Sequence, residues 1–189
     1  MPFAVKAAEK LLQEETIQHL ITTGPPHSTH LAGLQLSKTF QLNWWVDFRD
    51  PWTSVFYNNQ MFRTKRSEAK DEALERQVLK AASGVITTVG GKLVEKLKAI
   101  APKQSFTVLP NGYDAALVDA AKGEKDKKYF HVVYTGLLTK NQAYVQLIQV
   151  LKQLQGERPI RFSLAGNITL SIINEIKNAL PEVEVVAHG

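Results

Sequence analysis

Short apolar runs alternate with amphipathic segments along this chain, and the alternation predicts the order of its strands and helices. Helical spacing of apolar residues occurs at 4–19, after Ser28, and at 67–82, 92–100, 142–154 and 169–180. Runs that predict strands occupy 20–23, 44–46, 84–89, 106–109, 131–135, 160–165 and 183–187. Because short strands that alternate with helices are typical of parallel sheets, the predicted fold class is α/β, with parallel strands and flanking helices.

The strand and helix pattern is interrupted once, between residues 113 and 129. Pro110, Asn111 and Gly112 end the preceding strand, and 113–129 is polar and rich in lysine, without a strong apolar period. We interpret 113–129 as a linker between domains. Neither side has the strands of a complete doubly wound sheet, so we expect 1–112 to be the C-terminal part of one domain and 130–189 the start of another.

Polar residues are concentrated where the first predicted strand ends. The Gly-Pro-Pro sequence at 24–26 predicts a stiff, sharp turn that places His27 and Ser28 at the start of a helix. Backbone N–H groups at a helix N-terminus favour an anion, so a phosphate or a substrate hydroxyl could bind there. The alternative is that Ser28 or Thr29 only caps the helix, with His27 on the solvated surface.

A second concentration of polar residues follows the predicted strand at 44–46. Asp47 and Arg49 share one face if the strand extends to them, because side chains alternate, and Asp50 follows directly. Two carboxylates around a guanidinium form either a structural ion-pair cluster or a site in which Arg49 orients an acid. Ligands of open parallel sheets bind beyond the carboxyl ends of the strands, and both turns lie there. Their position favours a ligand site.

The composition limits the classes of function. The chain has 189 residues, of which 44% are hydrophobic, and its lack of cysteine excludes disulfides, thiolate catalysis and zinc–thiolate sites. No apolar run approaches the roughly twenty residues of a membrane span, and the first residues lack the pattern of a secretory signal. The net charge of +5 permits binding of anions. Basic residues are scattered or interleaved with acidic ones, which favours solvated helix faces over a nucleic-acid surface.

Other catalytic motifs are incomplete. The Gly-Gly-Lys sequence at 90–92 follows a strand, but Leu93 replaces the hydroxyl residue of a phosphate-binding loop. No G-x-S-x-G sequence offers a nucleophilic serine, and no G-x-G-x-x-G turn supports a dehydrogenase. His27 and His30 would need a carboxylate to complete a metal site, and we predict none.

Several short motifs occur in a characteristic order. The chain contains TTGPPHS and DFRDPW, then GVITTV, VLPNGYD and VVYTGLL, with helices and the linker between them. In this order and spacing it resembles the retaining glycosyltransferases of family 4, also called group 1, over nearly its whole length. The resemblance implies a partial GT-B architecture of two Rossmann-like domains. It also implies transfer of a sugar from a nucleotide-sugar to an acceptor hydroxyl, with retention of configuration, in glycan or polysaccharide biosynthesis.

The resemblance further implies roles for residues at the strand ends. It assigns catalytic roles to Asp47, Arg49 and Asp50, and acceptor binding to Gly24, Pro26, His27 and Ser28. It assigns donor binding to Asn111, Gly112, Gly136 and Lys140. In this assignment Gly136 lets the diphosphate approach the backbone, and Lys140 stabilises charge on the leaving group. No metal and no cofactor are expected, since the nucleotide-sugar is a co-substrate.

The expected partners are a nucleotide-sugar donor and a glycan or lipid-linked acceptor, and no nucleic acid. We expect a cytoplasmic protein, with peripheral contact at the inner membrane face as a further hypothesis. Unpaired edge strands suggest a homodimer that completes the sheets. The family's glycine-rich N-terminal turn and its donor-binding pair of glutamates are not found in the sequence, so we expect this chain alone to be inactive. The alternative is a non-catalytic binding or scaffold module with a truncated GT-B fold.

Overall fold

The chain folds into two α/β units, Met1–Tyr113 and Asp114–Gly189. A computed structural model describes residues 2–55, 58–120, 127–154, 156 and 158–188. The helices are α1 (Pro2–Glu14), α2 (Ser28–Phe40), α3 (Lys65–Ala81), α4 (Lys92–Ile100), α5 (Ala115–Ala120), α6 (Tyr144–Gln153) and α7 (Leu170–Ala179), with a short 3-10 helix at Asn58–Gln60. The strands are β1 (His19–Gly24), β2 (Asn43–Phe48), β3 (Gly84–Thr87), β4 (Phe106–Val108), β5 (Phe130–Thr135), β6 (Ile160–Ala165) and β7 (Glu184–His188).

The first unit is built on a parallel sheet with the strand order β1-β2-β3-β4. In β2 every second side chain is fully buried, namely Trp44, Val46 and Phe48. This period of two is that of a strand with one face on the core. The helices α2, α3 and α4 contribute further buried side chains to the core, including Leu34, Val78, Leu79, Leu93 and Leu97.

The second unit has its own core around a parallel sheet with the order β5-β6-β7. Phe162 and Leu164 of the central strand β6 are each 1% exposed. They pack in one cluster with apolar residues of the two helices, among them Ile148 and Leu151 of α6 and Ile172 and Ile176 of α7. The predicted α/β class, with Rossmann-like parallel sheets and flanking helices, is therefore confirmed.

Most predicted bounds differ from the observed ones by one or two residues, and three differences are described here in full. Helix α1 ends at Glu14 instead of continuing to 19, because His19 pairs with Asn43 and the Gln18 carbonyl accepts the Asn43 N–H at 2.9 Å. Strand β3 ends at Thr87 rather than at 89. The segment 113–129, predicted as a linker without helical pattern, contains α5, whose side chains are all exposed; residues 121–126 lie outside the described part.

Candidate functional site

The turn between β1 and α2 is stabilised by a threonine hydroxyl. Both proline peptide bonds of the Gly24-Pro25-Pro26 sequence are cis. The Oγ1 atom of Thr29 lies 2.6 Å from the Thr23 carbonyl and 2.9 Å from that of Pro26, so it ties β1 to the turn. The N-cap residue of α2 is His27, whose side chain makes no capping hydrogen bond. The interpretation that Ser28 or Thr29 merely caps this helix is therefore wrong.

The side chain of His27 is held in an aromatic stack. Its ring lies 5.1 Å from that of Trp52 with 10° between the planes, and 5.9 Å from that of Phe48. Nε2 donates to the Pro51 carbonyl at 3.2 Å. Burial lowers the pKa of His27, although the Pro51 carbonyl and the carboxylate of Asp50 oppose this shift. His27 is therefore half-buried and neutral at pH 7, and not the solvated surface residue of the alternative interpretation.

His30, one turn further along α2, is a fully buried member of the same stack. Its ring lies 4.9 Å from that of Phe48, with 12° between the planes. Nδ1 is 2.9 Å from Thr22 Oγ1, which also accepts the indole N–H of Trp44 at 3.0 Å. Burial, and to a lesser extent His27, lower the pKa of His30 to about 4. The imidazole is thus a neutral link between α2 and the sheet.

Gly24 makes this close packing of the two histidines possible. A Cβ at this position would lie 2.6 Å from His30 Nε2 and 2.7 Å from His27 Nδ1. Both nitrogens are buried and have no hydrogen-bond partner among the described residues. Gly24 is itself buried, so its place in the predicted acceptor site is beneath the two rings rather than at the surface.

The other predicted acceptor residues do not all meet in one place. His27 lines an open pocket of about 470 Å³ beyond the ends of β1 and β2, together with Asp50. Pro26 and Ser28 instead line a pocket of about 500 Å³ between α1, β1 and α2. The structure therefore brings His27 and Asp50 together and places Pro26 and Ser28 on another surface of the same turn.

The three residues predicted as catalytic do not line one pocket together. Asp47 is part of β2, and its Oδ1 is buried without a partner among the described residues. Arg49 lies beyond the end of the strand and is exposed, as is Asp50. Within the described part of the chain, no ion pair joins Arg49 to either carboxylate. The predicted arrangement of two carboxylates around this guanidinium is not formed, and of the three only Asp50 lines the pocket with His27.

Sequence reasoning missed the far wall of this pocket, which comes from the loop before α3 and from α3 itself. The additional lining residues are Pro25, Pro51, Trp52, Val55, Asn58, Met61, Arg63 and Asp71. Arg63 forms an ion pair with Asp71 and donates from Nη1 to Asn58 Oδ1 at 3.2 Å. In the sequence, Arg63 is one of the scattered basic residues. The eight-residue spacing to Asp71 offers no local pattern that would have revealed the pair.

A buried carboxylate of α3 holds the loop that forms part of the pocket wall. Glu75 of α3 is 1% exposed and accepts a hydrogen bond from the Thr53 hydroxyl. The backbone of Trp52 and Thr53 also hydrogen-bonds to it, but burial outweighs these contacts and raises the pKa of Glu75. Because Trp52 stacks on His27, Glu75 fixes the loop that holds the aromatic wall in place.

The support from Glu75 can be tested by a matched pair of variants on α3. We expect Glu75→Ala to lower the free energy of unfolding of the first unit by about 2 kcal/mol, since the donors of Thr53 and Trp52 lose a buried acceptor. Exposed Glu72→Ala is expected to change it by less than about 0.5 kcal/mol. Urea unfolding followed by tryptophan fluorescence measures both. Equal effects of the two variants would contradict the proposed support.

The predicted donor residues of the second unit lie at the carboxyl end of β5. Gly136 has φ +121°, and the space that a Cβ would occupy there is open, so the backbone can be approached from that side. The following turn is closed by its own side chains, since Gln142 Oε1 accepts the Thr139 N–H at 2.8 Å and the Thr139 hydroxyl at 2.5 Å. Lys140 projects from this turn and is exposed.

The amide groups at the start of α6 complete this surface. The N-cap residue Ala143 offers no side-chain hydrogen bond to the first turn of α6. Free N–H groups at a helix start, next to an exposed lysine and an accessible glycine, suit a diphosphate. Asn111 and Gly112, the other two predicted donor residues, are exposed and belong to the first unit.

No helix in the described ranges is long and apolar enough to cross a membrane. No group of three or more histidine and carboxylate side chains in the same ranges could hold a metal ion.

Comparison with solved structures identifies the class of fold. The chain aligns over 100% of its length with sucrose-phosphate synthase from Thermosynechococcus elongatus, with a TM-score of 0.59 and 16% identity, and covers 49% of that chain. It aligns over 98% of its length with TarM, with a TM-score of 0.56 and 11% identity, and covers 35% of that chain. Both are glycosyltransferases of GT-B type, and the fold of this chain is a partial GT-B fold.

The chain thus spans about half the length of the first of these structures and about a third of the second. No protein-family model matches it, and no curated protein is similar enough in sequence to match. At these identities the likeness shows the fold alone.

Proposed function

We propose that the chain is part of a retaining glycosyltransferase of the family 4 type. In this proposal the enzyme to which the chain belongs transfers a sugar from a nucleotide-sugar donor to an acceptor hydroxyl. The observation that carries the proposal is that the entire chain aligns with a GT-B glycosyltransferase while each of its two units has polar residues at the carboxyl ends of its strands. Ligands of parallel sheets bind at these ends.

The first unit is proposed to bind the acceptor, a glycan or a lipid-linked acceptor, in the pocket of His27 and Asp50. An acceptor hydroxyl must lose its proton as the new glycosidic bond forms. Asp50, an exposed carboxylate on the pocket wall, is the group proposed to accept a hydrogen bond from that hydroxyl. His27 is proposed to shape the pocket, since its Nε2–H is already donated to Pro51.

The second unit is proposed to bind the diphosphate of the donor at the turn between β5 and α6. The open backbone at Gly136 admits the diphosphate, and the first turn of α6 offers N–H groups to it. Lys140 adds a positive charge that stabilises the nucleoside diphosphate as it leaves. The proposal requires no residue from outside the second unit for this initial binding.

Titration with nucleoside diphosphates tests the donor site. We expect one or more of UDP, GDP and ADP to bind the 189-residue chain, and Lys140→Ala to weaken that binding about tenfold, the effect of losing one charge-assisted hydrogen bond. Lys177→Ala, which removes an exposed lysine in the last turn of α7, is the control and should leave the affinity unchanged. Isothermal titration calorimetry gives the dissociation constants.

Two results would contradict the proposed function. One is that none of the three nucleotides binds at about 1 mM, a concentration that detects even weak sites. The other is that the two lysine variants lose affinity equally, because binding would then follow net charge and not the turn. Carbohydrate binding without nucleotide binding would instead identify a non-catalytic binding module.

A further inference from the structure

The pocket beside His27 is rich in hydrogen-bond acceptors and poor in free positive charge. Two carboxylates, Asp50 and Asp71, line it, and its only lining cation is Arg63 among the described residues. Both carboxylates are close enough to His27 to oppose the lowering of its pKa. This distribution of charge constrains what the pocket can hold.

Arg63 is already occupied by protein oxygens. Nη2 forms the ion pair with Asp71 and lies 3.4 Å from the Ser67 carbonyl, and Nη1 donates to Asn58 Oδ1. Its side chain is only 15% exposed. The pair leaves no net positive charge to attract a phosphate or carboxylate, because the guanidinium is neutralised where it stands.

The other polar groups of the wall are occupied as well. Asn58 Nδ2 donates to the Thr53 carbonyl at 3.1 Å, and the Pro51 carbonyl accepts from His27. The Asp50 carboxylate, by contrast, makes no hydrogen bond or ion pair to any residue of the described ranges. A ligand therefore meets hydrogen-bond acceptors, among them the two carboxylates, and must supply donors.

Among the described residues, the remaining wall is apolar and includes a flat ring. Trp52, Val55 and Met61 line the pocket, and Trp52 is held in its orientation by its stack on His27 and by the loop that Glu75 fixes. A volume of about 470 Å³ accommodates a molecule of one or two sugar rings. A flat apolar surface beside charged acceptors suits a sugar, which has both C–H faces and hydroxyl donors.

We infer that this pocket binds an uncharged, polyhydroxylated ring through hydroxyl groups donated to Asp50 and Asp71, and that it excludes phosphorylated and other anionic sugars. The inference rests on the proposed function and specifies its acceptor, a neutral glycan end rather than a sugar phosphate. The ion pair between Arg63 and Asp71 sets this selectivity, because Asp71 cancels the charge that would otherwise bind an anion.

Matched pairs of ligands test the selectivity. The probes are the methyl pyranosides of glucose, mannose and galactose and the 6-phosphates of the same three sugars, with saturation-transfer NMR and tryptophan fluorescence as readouts. We expect at least one neutral glycoside to bind at about 50 mM or below, and each phosphate to bind at least about tenfold more weakly than its neutral counterpart. Failure of all three neutral glycosides, or tighter binding of any phosphate, would overturn the inference.

Three variants test which residues cause the preference for neutral sugars. Asp50→Asn should weaken binding of the neutral glycoside about tenfold, since a charged acceptor is lost. Asp71→Asn should free Arg63 and let the sugar phosphate bind at least as tightly as the neutral sugar. Glu95→Gln, on the exposed face of α4, should change neither. If Asp71→Asn folds, as shown by unchanged circular dichroism, but gains no phosphate binding, the role of the ion pair is disproved.

The inference and the proposed function fail separately. Suppose that nucleoside diphosphates bind to the second unit and that the first unit prefers sugar phosphates. The proposed transferase function would then stand, and the inference of a neutral acceptor would be refuted. If neutral glycosides bind selectively and no nucleotide binds, the inference of a carbohydrate pocket would stand and the proposed transferase function would be refuted.

Discussion

Replacement of Gly166 by alanine is expected to destabilise the second unit by roughly 3 kcal/mol or more, through backbone strain and overpacking combined. Gly166 follows β6 with φ +126°, a conformation that side chains disfavour. An added Cβ would lie 2.4 Å from the Gly136 carbonyl oxygen, which is backbone and cannot rotate away. The turns after β5 and β6 are in direct contact here, and the Gly136 N–H donates to the Ala165 carbonyl at 2.8 Å.

The location of the three tryptophans allows each unit to be followed separately. Trp44, Trp45 and Trp52 all belong to the first unit, so urea unfolding monitored by tryptophan fluorescence reports on that unit alone. Hydrogen exchange measured on peptides of 130–188 reports on the second. We expect Gly166→Ala to increase exchange of β5 and β6 and to leave the fluorescence midpoint unchanged.

Gly156→Ala is the control for this experiment, since no atom of the described residues beyond its chain neighbours lies within 4 Å of the added methyl group and φ is outside the left-handed range. It should leave exchange in β5 and β6 as in the parent chain. Equal protection in the two variants would show that the contact of the two turns does not limit stability. Because Gly136 is also a proposed donor-site residue, loss of nucleotide binding in Gly166→Ala is a further expectation.

Local periodicity predicted the fold well where one face of an element is buried. Helix α4 and strand β6 were placed at their observed bounds, 92–100 and 160–165, because their apolar residues repeat with clear helical or strand periods. Helix α5 was missed because none of its residues is buried, so no apolar period marks it. The end of α1 was misplaced because a distant partner, Asn43, determines where β1 begins.

The same distinction applies to the candidate site. The proximity of His27 and Asp50 could be predicted, because each follows a strand of the same parallel sheet and the carboxyl ends of parallel strands lie at one edge. Arg63, Asp71 and Glu75 could not, since only the packing of α3 and its preceding loop brings them under the turns. The expected cluster of Asp47 and Arg49 does not form because β2 ends at Phe48. Arg49 therefore lies outside the strand and does not follow its alternation of side chains.

Acidification is expected to destabilise the first unit through His30. Its pKa is about 4 in the folded chain and 6.5 when unfolded, so below pH 6.5 the unfolded chain binds more protons. The contribution of His30 to the free energy of unfolding is thus fully present above pH 6.5. It declines as the pH falls to 4, by about 3 kcal/mol in total. Protonation forces a charge into the contact of α2 with β2, where Nε2 has no described partner.

Two other buried groups contribute to the pH dependence, with opposite signs. His27 also has a lowered pKa and adds to the loss of stability in acid. Glu75 has a raised pKa, so its contribution decreases as the pH rises and partly offsets the histidines. The pH dependence of the parent chain's stability is therefore the sum of several contributions. Only the difference between chains with and without His30 isolates the contribution of this residue.

His30→Asn provides that difference, because the amide keeps a polar atom near Thr22 and does not titrate. We expect it to lower stability at pH 7 and to flatten the dependence between pH 6.5 and 4, so that the two chains converge in acid. His19→Asn, at the exposed start of β1, should keep the parent slope. Urea unfolding by tryptophan fluorescence at several pH values measures all three. Parallel curves for the parent chain and His30→Asn would mean that His30 is not the group whose protonation loosens α2 from the sheet.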